Sequence, residues 1–251
     1  MTHQLTPREA SSLSVDLPAG TDERVSGYGV IGLPFSSGHY LALRDFVASS
    51  FGPAYRAVWH RDPAGAWSIY STNEASESCP RYLSAALWRP TIVTPIDVTW
   101  LDDFQLRVYI DDALDWTIEA RPTMATRLMT AMGRRMPPAA WTNQVVLDVM
   151  GRMAGPMLGA GKMRLAGGLP NGQTFSAAPQ RIWGVTASSA IVEGRDAGPI
   201  GPLPKQDHLA DFWLPQRGIF FADGFGHFES FDPDRHLRPL GAQPIEPSGA
   251  S

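Results

Sequence analysis

The sequence predicts an α+β protein that is mainly β: a curved antiparallel sheet or barrel with a methionine-rich helical insertion. Two observations lead to this fold class. Short segments of alternating apolar and polar residues recur along most of the 251-residue chain, as in antiparallel strands. Between residues 124 and 159 the apolar period becomes three to four residues, and seven of the nine methionines fall in that segment.

Composition indicates one folded domain with unstructured ends. Hydrophobic residues make up 43% and charged residues 18% of the chain, which is enough apolar material for a sizeable core. Residues 1–26 and 238–251 are rich in Ser, Thr, Pro, Gly and Ala without periodicity, which predicts disordered tails. We therefore expect a single β-rich domain over residues 27–237, with the helical insertion at about 124–159.

Charge and cysteine content limit the partners and the location. The net charge is −4, and no run of Lys or Arg is long enough to follow a phosphate backbone, so nucleic acid is not expected as a partner. No signal peptide is visible, Cys79 is the single cysteine, and no apolar stretch approaches the roughly 18 residues of a membrane span. We expect a cytoplasmic protein without a membrane span, and self-association into a homo-oligomer is open.

The segment 55–71 predicts a hairpin with a tight turn at residues 62–65. A four-residue turn pairs His60 with Trp67 on an apolar face. Burial there lowers the pKa of a histidine and leaves a neutral imidazole that exchanges protons near neutral pH. His60 is therefore the first candidate for a general acid or base, and Trp67 is a candidate ligand contact. The alternative is a histidine that only fills the core.

Alternating strands within residues 92–110 predict a second hairpin, followed by a third strand. The expected register aligns Asp97, Arg107 and Glu119 in a polar ladder across the three strands. The residues of such a ladder lie either on a solvent-exposed face of the sheet or in a polar patch inside a barrel. In the second case Asp97 and Tyr109 are candidate catalytic residues that anchor a polar group of the ligand.

The helical insertion predicts two amphipathic helices. The first must end at Pro137-Pro138, and the second should end near Gly159. Methionine is unbranched and polarisable, so it suits a wall that adapts to apolar ligands of different shape. The alternative is that the methionines fill the core between helices and sheet. The candidate ligand contacts are Met129, Met132, Met150 and Met153.

Strands resume after the helices, with hairpins predicted to turn near residues 170–172, 187–189 and 223–226. Lys162 enters the first of these strands directly after the helical segment. A lysine that points into an apolar pocket has a lowered pKa and is a candidate Schiff-base nucleophile. A surface lysine at the start of a strand is the alternative.

Motifs of several common catalytic sites do not occur. Arg81 follows Cys79 closely and would stabilise a thiolate, but no base lies near it in sequence. Zinc-type spacings, a phosphate-binding loop and the G-x-S-x-G motif of serine hydrolases are missing. We therefore predict no metal site and no cofactor.

Two short motifs lie towards the C-terminus. Pro202-Leu203-Pro204 is followed by Ala210-Asp211-Phe212-Trp213-Leu214-Pro215. Together they resemble the closing segment of acetoacetate decarboxylase-type proteins, in which a PL…LP stretch precedes a strand that contains an aspartate. The resemblance covers these two motifs, and it implies a curved β-sheet around an apolar pocket. That family uses a Schiff-base lysine from a Pro-Lys-Lys-like motif, which this sequence lacks.

These features favour a protein that binds a small, largely apolar molecule in a pocket between the sheet and the methionine-rich helices. A cofactor-independent lyase or isomerase that uses acid–base chemistry fits this reading, with His60 as the proton carrier. The alternatives are a non-catalytic carrier or sensor of a lipid-like ligand, and a scaffold whose methionine stripes face a partner protein.

Overall fold

The computed structural model describes residues 4–13, 16–17 and 19–239. Strands account for 41% of the chain and helices for 19%, so the predicted mainly β class is confirmed. Ten strands follow one another across a curled sheet shaped as a half-barrel. One parallel pair of strands makes this sheet mixed instead of purely antiparallel.

The strands of the large sheet are β1 (Glu23–Pro34), β2 (Tyr40–Ser49), β3 (Tyr55–Arg61), β4 (Trp67–Ser71), β5 (Ile92–Val93), β6 (Asp97–Trp100), β7 (Gln105–Ile110), β8 (Leu114–Arg121), β9 (Ala166–Gly168), β10 (Thr174–Val192), β11 (Arg195–Asp196) and β14 (Ile219–Phe228). Their order is β5-β4-β3-β2-β1-β14-β10-β8-β7-β6, and β9 and β11 each pair with β10. A separate small hairpin consists of β12 (His208–Leu209) and β13 (Phe212–Trp213).

The helices are α1 (Pro7–Ser11), α2 (Pro80–Leu83), α3 (Met124–Gly133) and α4 (Gln144–Leu158), with 3-10 turns at Ala75–Glu77, Ser84–Ala86 and Pro138–Thr142. Thr123 caps α3 by accepting a hydrogen bond from the Thr126 N–H at 3.1 Å, and Asn143 caps α4 in the same way. Gly159 ends α4 with a left-handed φ of 62°. The helical insertion thus has the predicted pair of helices. None of the helices in the described part of the chain is long and apolar enough to cross a bilayer.

The sheet carries a hydrophobic core on each face. One core, which we call the inner core, joins side chains from both ends of the sheet, such as Tyr70, Leu106 and Trp116, and is enclosed by the curl. The other, the outer core, joins the opposite face to α2, α4 and the segment after α4. Because successive side chains of β3 point to opposite faces of the sheet, Val58 lies in the inner core and Trp59 lies in the outer core.

The β3–β4 hairpin is shifted by one residue from the predicted register. Asp62 pairs with Ala66: its N–H donates to the Ala66 carbonyl at 3.0 Å, and its carboxylate accepts from the Ala66 N–H at 2.8 Å. The Asp62–Ala66 pair leaves residues 63–65 in the turn, and the register is offset by one residue, so His60 lies opposite Ser68. Because successive side chains point to opposite faces, His60 and Trp67 lie on opposite faces, and the predicted pairing is wrong.

The predicted polar ladder is also wrong, by a shift of two residues at each turn, because the loop between β6 and β7 is longer than expected and the turn between β7 and β8 is shorter. Asp97 pairs with Tyr109, whereas Arg107 forms an exposed ion pair with Asp115 at 2.7 Å. Glu119 lies opposite the first residue of β7. A shift of two residues keeps every side chain on its face, so the apolar positions of these strands still point inwards.

Two of the predicted C-terminal hairpins are single strands. β10 continues through residues 187–189, and β14 continues through residues 223–226 with β1 on one side and β10 on the other. Asp223 has a positive φ of 54°, and the register with β1 shifts near Gly27. The polar residues that indicated a turn in β14 therefore form an irregularity within a paired strand.

The N-terminal residues differ from the predicted tail. α1 begins with a capping box between Thr6 and Glu9, Ala10 is buried in the inner core, and β1 already begins at Glu23. Residues 240–251, which form most of the predicted C-terminal tail, lie outside the described residues. The division into one domain and two tails stays a prediction.

A partly buried ionic cluster fixes α2 to the sheet. Glu23 accepts hydrogen bonds from the Arg81 guanidinium at 2.7 and 2.9 Å and from the Tyr82 hydroxyl at 2.7 Å. Gln173 donates to the same carboxylate at 3.3 Å. Tyr82 stacks on Phe228 with ring centroids 4.0 Å apart. The cluster therefore sets the position of an aromatic pair against the outer core.

Replacement of Glu23 by Gln should lower the free energy of unfolding by about 2 kcal/mol. This is less than the roughly 3–5 kcal/mol for a fully buried pair, because the Arg81 side chain keeps 20% exposure. Burial raises the pKa of Glu23, but the hydrogen bonds from Arg81 and Tyr82 outweigh it, so its pKa lies below the ordinary 4.5. The Glu23 carboxylate therefore makes its full contribution to the free energy of unfolding above pH 4.5, and this contribution is lost as the pH falls through its lowered pKa.

Urea unfolding of the wild type and the E23Q variant at neutral and acidic pH measures both effects. We expect the difference in unfolding free energy to shrink once Glu23 is protonated. A difference that stays constant down to the lowest pH would contradict the assignment.

Candidate functional site

A cavity of about 110 Å³ lies in the outer core, between the sheet and the segment that follows α4. We call it the aromatic cavity. Strands β1, β2, β3, β10 and β14 contribute to its walls, together with α2 and the small β12–β13 hairpin. Its aromatic lining includes Phe46, Trp59, Phe175, Phe212, Phe221 and Phe228. Such a lining is typical of a site for an apolar molecule.

Arg44 brings a positive charge into this apolar cavity. Its side chain is buried, with 6% exposure, and its guanidinium carbon lies 4.3 Å from the centre of the Trp59 ring. The guanidinium donates to the carbonyls of Leu43 at 2.8 Å and Ile31 at 3.2 Å, and also to that of Val30. Arg44 is thus held by main-chain oxygens and by an aromatic face.

An irregularity in β1 explains part of this arrangement. The register between β1 and β2 shifts between Val30 and Leu33, which interrupts the strand ladder at that point. The Arg44 side chain supplies donors to two carbonyls in the interrupted stretch, those of Val30 and Ile31. A structural role therefore accounts for some of the donors of Arg44.

Other donors of Arg44 are not used. A guanidinium has five N–H groups, and Arg44 makes three hydrogen bonds with the described residues, which leaves two. Within the described ranges it forms no ion pair with a carboxylate. Burial lowers the pKa of Arg44, and the groups that oppose this effect are Cys79, Tyr40 and Tyr55. An anion in the cavity would therefore relieve a buried, unpaired charge.

Cys79 and Trp59 provide further polar groups beside Arg44. The Cys79 sulfur lies 3.3 Å from the Tyr55 hydroxyl. Burial raises the pKa of the Cys79 thiol, despite the charge of Arg44, so the thiol stays protonated at neutral pH. The Trp59 indole N–H lies near enough to Cys79 to favour its thiolate, yet it makes no hydrogen bond with the described residues. The Trp59 N–H is therefore, among the described residues, an unpaired donor that its neighbours cover.

The outer side of the aromatic cavity is formed partly by Arg164 and Trp213. Arg164 is paired with Asp211, and its side chain keeps 38% exposure. The Lys162 ammonium lies 3.9 Å from the centre of the Trp213 ring. Lys162 itself is exposed and is not among the described residues that line the cavity. The geometry therefore places this candidate nucleophile at the surface.

The methionines predicted as ligand contacts divide between a smaller cavity and the surface. Met129 and Met150 line a cavity of about 30 Å³ beneath α3 and α4. Met132 and Met153 are exposed at 37% and 46%. Met163, in the segment that follows α4, lines both the smaller and the aromatic cavity. The aromatic cavity thus lies beside the methionine-rich helices and is not enclosed by them.

His60 faces away from the aromatic cavity. Its Nε2 lies 2.9 Å from Nδ1 of His39, and the two rings are stacked. Burial and the neighbouring His39 lower the pKa of His60 to about 4, and burial also lowers that of His39. The pair is therefore neutral at neutral pH. Trp67, on the opposite face, packs against Tyr40 in the outer core.

Asp97 and Tyr109 lie in an open groove at the surface of the β6–β7 hairpin. The Tyr109 hydroxyl donates to Asp111 at 3.2 Å. The predicted catalytic residues are therefore in three separate places, and the structure does not bring them together. No cluster of three or more His, Cys, Asp or Glu side chains suited to a metal ion occurs in the described ranges.

Comparison with known proteins gives a structural likeness. No family model matches the sequence, and no curated protein matches it. The chain is similar to a crystal structure of acetoacetate decarboxylase from Legionella pneumophila, with 10% identity, 96% of this chain and 99% of that chain covered, and a TM-score of 0.40. This is the family that the two C-terminal motifs resemble. The second of these motifs, residues 210–215, contributes Phe212 and Trp213 to the aromatic cavity.

The neutral histidine pair predicts a pH-dependent contribution to stability. In the folded state the pKa of His60 is about 4, below the ordinary 6.5, so the unfolded chain takes up its proton first as the pH falls. The contribution is complete above pH 6.5 and is lost as the pH falls through about 4. We expect an NMR titration of the His60 ring to have its midpoint near pH 4. Between pH 6.5 and about 4, the melting temperature of the variant H60Q should fall less than that of the wild type. An NMR titration midpoint of His60 near pH 6.5 in the wild type would contradict the assignment.

Proposed function

We propose that this protein binds a small, largely apolar carboxylic acid in the aromatic cavity, with the carboxylate on Arg44. The observation that carries the proposal is a buried guanidinium that has two unused N–H groups and no carboxylate partner among the described residues. A carboxylate accepts two parallel hydrogen bonds from a guanidinium, which gives a strong and directional contact. The aromatic lining would hold the apolar body of the acid.

The volume of the cavity favours a compact ligand. At about 110 Å³ it is smaller than the roughly 300–1,000 Å³ of sites for drug-sized molecules. A short-chain fatty acid or a small aryl acid therefore fits better than a long lipid.

The lining supports retention of the ligand more than turnover. Besides arginines, the titratable groups of the described lining are Cys79 and Tyr82. Burial raises the pKa of both, and the Glu23 carboxylate raises that of Tyr82 further, so neither accepts a proton or loses one easily near neutral pH. His60 lies on the other face of the sheet. We therefore propose a carrier or sensor of an organic acid in preference to a lyase or isomerase.

Calorimetric titration with hexanoate and with 1-hexanol tests the role of Arg44. We expect the wild type to bind hexanoate at least about tenfold more tightly, because a hydrogen bond to a charged group contributes roughly 1.5–3 kcal/mol. The variant R44M should bind the two molecules with similar affinity. R44K, which keeps the charge, should retain part of the preference for the acid.

The matched control is R107M, which removes an exposed arginine far from the cavity and should leave the preference unchanged. H60Q should also leave it unchanged, since His60 faces the other side of the sheet. Circular dichroism establishes that each variant is folded. A wild type without preference for hexanoate, or a folded R44M variant that retains the full preference, would contradict the proposal.

A further inference from the structure

The outer sides of α3 and α4 expose two apolar stripes. The α3 stripe is Met124, Leu128 and Met132, and the α4 stripe is Val145, Val149 and Met153. Four-residue spacing places the members of each stripe on one side of its helix. The opposite sides of both helices pack towards the sheet; Thr130, for example, accepts a hydrogen bond from the Ile182 N–H of β10 at 3.0 Å. Met129 and Met150, on the buried sides of the two helices, both line the smaller cavity, so both stripes face away from the outer core.

Arginines border these stripes. Arg127, Arg134, Arg135 and Arg152 are exposed, and none of them forms an ion pair with an acidic side chain of the described residues. The two helices contain a single acidic residue, the half-buried Asp148. The whole chain has a net charge of −4, so this face is locally positive on a protein that is negative overall.

A basic groove extends the same face towards the aromatic cavity. Arg152, Lys162 and Arg164 line this groove at the C-terminal end of α4, together with Asp148. Arg164 also lines the aromatic cavity, as does its neighbour Met163. The face that begins on the two helices is therefore continuous with the rim of the cavity.

We propose that this face docks on the surface of an anionic lipid membrane. Its apolar side chains enter the headgroup region, and its arginines contact the lipid phosphates. Arg127 and Arg152 flank the stripes and supply the charge complementarity. A second copy of the chain fits less well, because its arginines would face arginines across the contact with only Asp148 as a counter-charge. A peptide helix also fits less well, since the stripes lie on the outer sides of helices and not in an apolar groove.

Co-sedimentation with vesicles tests the docking. We expect the full-length protein to bind vesicles of phosphatidylcholine and phosphatidylserine at about 7:3 and to bind vesicles of phosphatidylcholine alone much less. R127Q and R152Q should each lower the partition coefficient about fivefold, the loss expected for one basic residue near an anionic surface. L128S and V149S should lower it as well, because they remove apolar area from the contact.

Matched controls change similar exposed residues elsewhere. R195Q on β11 and L101S in the β6–β7 loop should leave the partition coefficient unchanged. R44M should also bind vesicles like the wild type, because docking does not require a ligand in the cavity. Failure of this proposal is thus distinguishable from failure of the ligand proposal.

Three results would overturn the membrane proposal. One is a wild type that does not bind the phosphatidylserine vesicles. Another is folded R127Q and R152Q variants that bind as well as the wild type. The third is a dimer in size-exclusion chromatography that L128S or V149S dissociates, since the face would then be covered by a second copy.

Discussion

Arg44 is held inside the outer core by three main-chain carbonyls and the Trp59 ring, without a carboxylate partner among the described residues. Removing a guanidinium from water costs several kcal/mol, and neutral carbonyls and an aromatic face recover only part of that cost. The interrupted ladder of β1 provides two of these carbonyls. The same irregularity therefore positions the guanidinium and supplies acceptors for part of its N–H groups. The chemistry that we propose follows from this one incompletely satisfied cation.

The surrounding walls converge from distant parts of the chain. The Glu23–Arg81–Tyr82 cluster fixes α2 on one side, and Tyr82 stacks on Phe228 there. On the other side, α4 lies so close to the following segment that a Cβ at Gly155 would overlap the carbonyl oxygen of Gly161. That close contact brings Met163 into the wall. The cavity therefore depends on tertiary contacts at both ends and not on the methionine-striped helices themselves.

Periodicity was sufficient to predict the mainly β class, the two helices and the break between them, because these depend on local sequence. The registers were not predictable in this way: an offset of one residue at the turn that follows Asp62 places Trp67 on the face opposite His60, and alternation alone cannot reveal it. Arg44 did leave a signal, since it is the charged member of an otherwise apolar stripe with Tyr40, Ala42 and Phe46. That it faces a cavity is a long-range property, which no local pattern encodes.

Native mass spectrometry of freshly purified protein tests most directly whether Arg44 holds an organic acid. We predict a small molecule retained by the wild type that leaves as a carboxylate anion on collisional release, and its absence from a folded R44M variant. Retention of a neutral molecule, or of an acid to the same extent by the R44M variant, would contradict the assignment of Arg44 as the carboxylate-binding group.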